Sequence, residues 1–184
     1  MTKLIGGMTI SLDGYVALPD GDIGPLYADF ETLMGSESFA AQRAETGSAL
    51  MGRRFFDMAE NPDGYAVDYE FQCPIVVVTH EAPSHQPARN DVLFIEFATD
   101  GLPAAVARAK ELAGDRAVTV LGGPALLDQL LTLDLVDELR VDVIPVVLGA
   151  GRRFLEGVDR HIDLETLGVG VTGPRTSLHL AVRR

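Results

Sequence analysis

The feature that most constrains the fold is a strand followed by a two-glycine turn and a helix. Residues 118–121 read Val-Thr-Val-Leu, and Gly122-Gly123-Pro124 leads from them into the apolar helical segment 125–131. Proline suits the first turn of a helix, where its missing N–H would have had no partner. The pattern predicts a buried strand, a tight turn and a helix whose free amides face a crevice beyond the strand, where a phosphate can sit. Glycine in such a turn can also serve the geometry of the connection alone.

A second junction of this kind lies upstream, where a short apolar strand ends at a glycine. Residues 49–51 read Ala-Leu-Met and are followed by Gly52, and Arg53 and Arg54 open the next helix. Because cations oppose the macrodipole at this end of a helix, two arginines in succession suggest a bound anion or an acidic neighbour. They can instead be solvated side chains on a surface turn. The chain carries 27 acidic and 15 basic residues, a formal net charge of −12, so concentrated positive charge is unusual here and argues against simple solvation.

Strands and helices alternate along the chain, which predicts an α/β fold. Residues 75–79 read Ile-Val-Val-Val-Thr, an unbroken β-branched run expected of a central strand covered on both faces. Apolar residues recur at helical spacing over 102–113, and Gly114 ends that helix. The other predicted strands span residues 4–12, 49–51, 92–97, 118–121 and 138–143, and a terminal hairpin spans about 164–182. We expect one domain over residues 1–184, with a mostly parallel central sheet flanked by helices and antiparallel C-terminal strands.

Composition narrows the classes of function. The acidic balance argues against nucleic acid, whose binding needs a basic surface. No apolar run approaches membrane-spanning length, and we expect no signal peptide. The single cysteine, Cys73, excludes an intrachain disulfide framework and suits a cytoplasmic protein. The four histidines show no metal-ligand spacing with one another or with Cys73, so we expect no metal site.

Five segments, in this order along the chain, resemble the dihydrofolate reductase superfamily. They are residues 11–17 (Ser-Leu-Asp-Gly-Tyr-Val-Ala), the Gly52-Arg53 junction, Val78-Thr79, the Gly122-Gly123 junction, and residues 135–139 with 145–151. The first and last are similar to the branch that contains the reductase domain of the bifunctional riboflavin-biosynthesis deaminase-reductase and its stand-alone relatives. The resemblance covers nearly the whole chain.

This resemblance implies an NADPH-dependent reductase of a small molecule. Gly52 and Arg53, with Arg54 beside them, match the turn that grips the adenosine 2′-phosphate and the pyrophosphate. Thr79 and His80 match the strand end beside the adenine ribose. The other matching positions are Gly122, Gly123, Pro124 and Ala125 over the pyrophosphate, and Ala17 and Asp13 near the nicotinamide. Small residues permit close approach and arginine forks onto phosphate, so these roles are chemically reasonable.

The chain departs from the family pattern at three positions. The family often has a hydroxyl residue two positions after the arginine, where this chain has Phe55. Riboflavin-pathway enzymes usually place a basic residue after Asp-Gly, suited to a ribose phosphate, where this chain has Tyr15. Folate reductases use a helix carboxylate before the Gly-Arg junction to support protonation, and Glu37 is close to that place. We therefore expect the proton to come from Asp13, Glu37 or water.

Two rival functions stay open at this stage. A non-catalytic nucleotide-binding protein would keep the cofactor cleft without turnover, and an acidic interaction domain would explain the charge but neither glycine junction. The resemblance also implies a homodimer that covers the C-terminal sheet edge. Finally, we expect a cis peptide bond between Gly122 and Gly123, which would cost roughly 2.5–4 kcal/mol but is best tolerated between glycines.

Overall fold

Ten strands and six α-helices form the part of the chain that the computed structural model describes, residues 1–183. The strands are β1 Leu4–Ser11, β2 Tyr15–Ala17, β3 Thr46–Gly52, β4 Ile75–Val78, β5 Ile95–Ala98, β6 Ala117–Leu121, β7 Glu138–Ile144, β8 Arg152–Arg153, β9 Leu164–Thr172 and β10 Arg175–Val182. The helices are α1 Phe30–Met34, α2 Glu37–Glu45, α3 Arg53–Phe56, α4 Tyr65–Asp68, α5 Leu102–Ala113 and α6 Pro124–Thr132. Short 3-10 turns cover Gly24–Leu26 and Pro62–Gly64.

Eight of the strands in this described range form one sheet in the order β5-β4-β3-β6-β1-β7-β10-β9. Every pairing from β5 across to β7 is parallel, whereas β10 pairs antiparallel with both β7 and β9. The predicted fold, a mostly parallel sheet flanked by helices with antiparallel C-terminal strands, is confirmed. The remaining strands, β2 and β8, form a separate antiparallel ribbon.

Two apolar clusters hold the helices against the sheet. One joins α5 and α6 to the sheet, and its fully buried members include Leu4, Leu50, Val118 and Leu130. The other includes side chains from α2, α3 and α4 packed on β3 and β4, among them Phe39, Phe56, Tyr65 and Ile75. A strand buried on both faces is uniformly apolar, and β4 is: Ile75, Val76 and Val77 are all 0% exposed.

The predicted element boundaries hold in most places and fail in one instructive place. The helix predicted over 102–113 has those bounds, whereas the strand predicted over 92–97 begins only at Ile95. The Asn90 side-chain oxygen accepts hydrogen bonds from the amides of Val92 and Leu93, at 2.8 and 2.6 Å. This local turn satisfies backbone donors that would otherwise extend β5.

A buried arginine fastens the loop before α1 to the sheet. Arg175, on β10, is 0% exposed, and its Nε and Nη2 each lie 2.8 Å from an oxygen of the Asp29 carboxylate. Its remaining donors reach the Thr9 hydroxyl, the Leu26 carbonyl and the Asp142 carboxylate, and its guanidinium lies over the ring of Tyr27. A buried cation with all its donors satisfied tolerates the cost of desolvation, and it leaves carboxylates unpaired when it is removed.

We therefore expect Arg175→Ala to lower the free energy of unfolding by about 3–5 kcal/mol, because the Asp29 and Asp142 carboxylates would lose their shared cation. Urea denaturation measures this directly. The matched control is Arg183→Ala: the Arg183–Glu165 pair is exposed, and its loss should cost at most about 1 kcal/mol. Equal losses in the two variants would contradict the structural role given to Arg175.

Candidate cofactor site

The predicted cofactor residues come together because four neighbouring strands end at the same edge of the sheet. β4, β3, β6 and β1 are adjacent and parallel, with Gly52 opposite Val78 and Met51 opposite Leu121. The turns that follow these strands therefore lie side by side, about 5 Å apart per strand. Ligands of parallel α/β sheets bind outside this carboxyl edge.

Arg53 joins two of these turns. Its Nη1 donates to the Thr79 hydroxyl at 3.3 Å and to the Glu81 carbonyl at 2.9 Å, and its Nε lies 2.7 and 2.9 Å from the two carboxylate oxygens of Asp57. Arg53 and Thr79 are 26 residues apart in the chain. The structure thus brings together two residues that match, by the family resemblance, the turn for the 2′-phosphate and the strand end beside the adenine ribose. The acidic neighbour that the arginine pair suggested is Asp57.

The other two polar residues predicted at this site, Arg54 and His80, make fewer contacts than Arg53 and Thr79. Arg54 and His80 are exposed. Within residues 1–183 neither side chain makes a hydrogen bond or ion pair. Both are therefore exposed to solvent, next in the chain to Arg53 and Thr79.

The Gly122-Gly123 turn is built from trans peptide bonds, so the predicted cis bond is wrong. Residues 1–183 contain no cis peptide bond. Both glycines instead have positive φ, 67° and 58°, a conformation that glycine adopts without the cost a Cβ would impose. Two such residues in succession turn the chain from β6 into α6 with ordinary peptide geometry. The sequence correctly indicated a turn that needs glycine, but the turn is made by two positive φ angles and not by a cis peptide bond.

The two glycines differ in what surrounds them. A Cβ at Gly122 would overlap atoms of the Phe55 ring and would clash with it, whereas no atom lies within 4 Å of a Cβ at Gly123. No side chain caps α6 within the described residues, and the helix opens at Pro124 with Ala125 exposed. The helix end beside Gly123 is therefore accessible, and Phe55 narrows the crevice over Gly122. The sequence signal for this role of Phe55 was an aromatic residue where the resemblance leads one to expect a hydroxyl.

Asp13 is held by the loop that follows β7. Its carboxylate accepts hydrogen bonds from the Leu148 amide at 3.1 Å and the Gly149 amide at 2.7 Å. A hydrogen bond from Ser11, more than these amides, lowers the pKa of Asp13 to about 2. A carboxylate stabilised in this way is ionised at neutral pH. In this geometry Asp13 fastens the β1–β2 turn to residues 148–149.

The remaining predicted residues, Ala17 and Glu37, lie in different surroundings. Ala17, on β2, is 8% exposed. The β2–β8 ribbon brings Gly151 so close to the Ala17 carbonyl that a Cβ on residue 151 would overlap the carbonyl oxygen. On the same ribbon the Arg153 guanidinium lies 5.3 Å from the ring centre of Tyr15. Glu37 is exposed in the first turn of α2 and makes no hydrogen bond or ion pair within residues 1–183.

Beside Phe55 lies a groove between α3 and α4, with a volume of about 400 Å³. Aromatic side chains of Phe55, Tyr65 and Tyr69 line it, and its polar lining is Asn61, Asp68 and Glu70. Phe56 and Tyr65 are 4% and 7% exposed, and their rings stack on each other. Within residues 1–183 no three His, Cys, Asp or Glu side chains are placed to hold a metal ion.

Comparison with known proteins identifies the family. The model of the RibD C-terminal domain family matches residues 2–178. The chain belongs to this family. The uncharacterized protein YwjB of Bacillus subtilis (strain 168) is 26% identical over 177 residues, which cover 96% of each chain. No helix in residues 1–183 has the length and apolar character needed to cross a membrane.

Solved structures of low identity show the same fold. A riboflavin biosynthesis protein from Shewanella sp. PV-4 superposes with a TM-score of 0.77 at 20% identity, covering 100% of both chains. Dihydrofolate reductase from Enterococcus faecalis, solved with NADP(H), superposes with a TM-score of 0.63 at 14% identity, covering 99% of this RibD C-terminal domain and 97% of that enzyme. These superpositions show the shared fold, and family membership supports a reductase-type function.

The geometry at Asp13 predicts a pH-dependent stability contribution. Because its folded-state pKa of about 2 lies below the usual 3.8, Asp13 should stabilise the fold fully above about pH 4 and lose that contribution as the pH falls toward 2. We expect Asp13→Asn to be less stable than the parent at pH 7, with the gap closing between pH 4 and 2 in urea denaturation. A gap that is constant over this range would show that the carboxylate charge does not hold the loop.

Proposed function

We propose that this protein is an NADPH-dependent reductase of the cytoplasm, with residues 1–184 as one domain. It would transfer hydride to a C=N or C=O bond of a small planar, pterin-like or sugar-derived substrate. The observation that carries the proposal is the hydrogen bond between Arg53 and Thr79 at the mouth of adjacent strand ends. The guanidinium held by this contact would bind the 2′-phosphate of NADPH, next to the open Gly123 turn. The family membership supports the same assignment.

The described residues fit the cofactor at two places. Gly123 leaves open space beside the uncapped start of α6, so backbone amides can face a pyrophosphate there. Arg53 presents its fork at the end of β3, where it can bind a phosphate. When bound, NADPH would supply the hydride, and the protein would orient it and exclude water. Phe55, packed on Gly122, would restrict how deeply the dinucleotide enters.

The hydride acceptor would be planar because of the groove beside Phe55. Of its aromatic residues, Phe55 and Tyr69 are partly exposed and could contact a planar ring, and its charged lining is acidic, from Asp68 and Glu70. Among the proposed proton sources, Asp13 is held ionised by its hydrogen bonds, so it suits the positioning of the 148–149 loop. The proton would then come from water or from Glu37, which is open to solvent.

A second candidate is a non-catalytic NADP(H)-binding protein. One specific observation favours it: of the two carboxyl groups proposed for catalysis, Asp13 is ionised and Glu37 is exposed. A general acid normally has a raised pKa so that it keeps its proton near neutral pH. Both candidates share the cofactor cleft, so binding tests them together and turnover separates them.

We also propose a homodimer formed through the C-terminal strands. β9 is an edge of the eight-stranded sheet, and its Val169 and Val171 side chains are 64% and 76% exposed. An exposed apolar edge strand invites pairing with another chain unless it is covered. A second copy of the same edge would cover it symmetrically.

For the cofactor assignment, NADPH should bind more tightly than NADH, and Arg53→Ala should weaken NADPH binding by about 1.5 kcal/mol, the lower range for a hydrogen bond to a charged group. NADH binding should hardly change. Isothermal titration calorimetry of both cofactors measures this, with Arg89→Ala, another exposed arginine, as the charge-matched control. Equal affinity of the parent for NADPH and NADH would refute the role of Arg53.

Turnover is tested by NADPH oxidation against dihydrofolate, other pterins, the riboflavin-pathway intermediate and simple carbonyls. Oxidation that depends on one of these acceptors would support the reductase. Tight NADPH binding without oxidation by any acceptor in the set would favour the non-catalytic alternative.

For the assembly, the parent should be a dimer in light scattering at micromolar concentration. The double substitution Val169→Lys with Val171→Lys should make it monomeric, because two buried charges would oppose each other across the interface. Val67→Lys, at a 79% exposed position on α4, should leave the mass unchanged. A monomeric parent would rule out this dimer.

A further inference from the structure

Asp57 accepts hydrogen bonds from the Nε of Arg53, one of the donors that a bound phosphate would use. Both oxygens of the Asp57 carboxylate accept from Nε, while Nη1 is used by Thr79 and Glu81. Nη2 has no hydrogen-bond partner within residues 1–183. A guanidinium binds a phosphate bidentately through parallel N–H groups on two of its nitrogens. Here Nη2 is free, but Nε and Nη1, with which it could pair, already donate hydrogen bonds within the protein.

A phosphate arriving at Arg53 therefore has two options. It can bind Nη2 alone, which forfeits the second hydrogen bond, or it can displace Asp57 from Nε. Displacement is feasible because the pair is on the surface: the side chains of Arg53 and Asp57 are 36% and 50% exposed. The carboxylate would nevertheless stay on the same helical turn, four residues away. At that separation, within a Debye length of about 8 Å, its charge repels a phosphate.

We propose that Asp57 is a cofactor-specificity residue that competes with the 2′-phosphate of NADPH for Arg53 and thereby limits the preference for NADPH over NADH. This rests on the proposed function, since it takes the Arg53 turn as the site of the adenosine ribose. NADH carries a 2′-hydroxyl in place of the phosphate. At the 2′ position NADH therefore neither requires the Nε of Arg53 nor suffers the repulsion. The pyrophosphate is common to both cofactors, so Asp57 affects the difference between their affinities through the 2′-phosphate.

Asp57 also orients Arg53, which would favour phosphate binding. We expect this effect to be smaller than the competition between Asp57 and the phosphate. An exposed ion pair fixes a long side chain only weakly. Thr79 and the Glu81 carbonyl, which hold Nη1, remain when Asp57 is replaced. Removing the negative charge should therefore free Nε without releasing the guanidinium from its place beside β4.

The test is a titration of NADPH and NADH into the parent and into Asp57→Asn, which keeps the shape of the side chain and removes its charge. We expect Asp57→Asn to bind NADPH about three- to ten-fold more tightly, the range for one half-exposed charge near a phosphate, and NADH with unchanged affinity. In an Arg53→Ala background the same substitution should give a markedly smaller gain, because the competition for Nε is then absent.

Two controls make the outcomes distinct. Asp115→Asn removes the same charge at an exposed position before β6, at the opposite end of the strands, and should change neither affinity. Thermal unfolding checks that both variants are folded. If the parent binds neither cofactor, the proposed function fails and this inference fails with it. If the parent binds NADPH but Asp57→Asn binds it equally or less tightly, or gains equally for NADH, only the inference about Asp57 is overturned.

Discussion

Parallel hydrogen bonding among β4, β3, β6 and β1 is the constraint on which the rest of the structure depends. It brings the ends of four strands, which are far apart in the chain, to one edge of the sheet. Thr79 meets Arg53 only because β4 and β3 are neighbours that run in the same direction. The apolar clusters on both faces keep that arrangement rigid, so the turns beyond the strands can carry polar and small residues without weakening the core.

The apolar pattern predicted this architecture, because parallel strands buried on both faces give short, continuous, β-branched apolar runs, as in Ile75–Val78. The glycine pair and Arg53 could also be picked out from the sequence, because a tight turn demands glycine and an anion site demands a cation. The late start of β5 could not be predicted in this way. It depends on hydrogen bonds that the Asn90 side chain accepts, and hydrophobic periodicity does not record such local contacts. The trans geometry at Gly122–Gly123 was missed for a similar reason, because glycine permits more than one way of making the same turn.

Long-range charge contacts were the least predictable part. Arg175 and Asp29 are separated by 146 residues, and nothing in the sequence around either marks them as partners. Likewise Asp13 was read as a candidate acid from its place near the strand end, whereas its partners are amides 135 and 136 residues away. Glu138, the first residue of β7, is 4% exposed and contacts Lys3 and His179. In an acidic chain, the tertiary structure decides which carboxylates are structural.

Hydrogen–deuterium exchange with and without NADPH is the sharpest test of whether these strand-end turns form one cofactor site. Exchange reports local opening of the backbone segment by segment. We expect NADPH to slow exchange at residues 52–57, 79–81 and 122–126 together, and to leave the turn before β6, around Asp115, unchanged. Protection at any other place, with these three turns exchanging as fast as in the free protein, would contradict it.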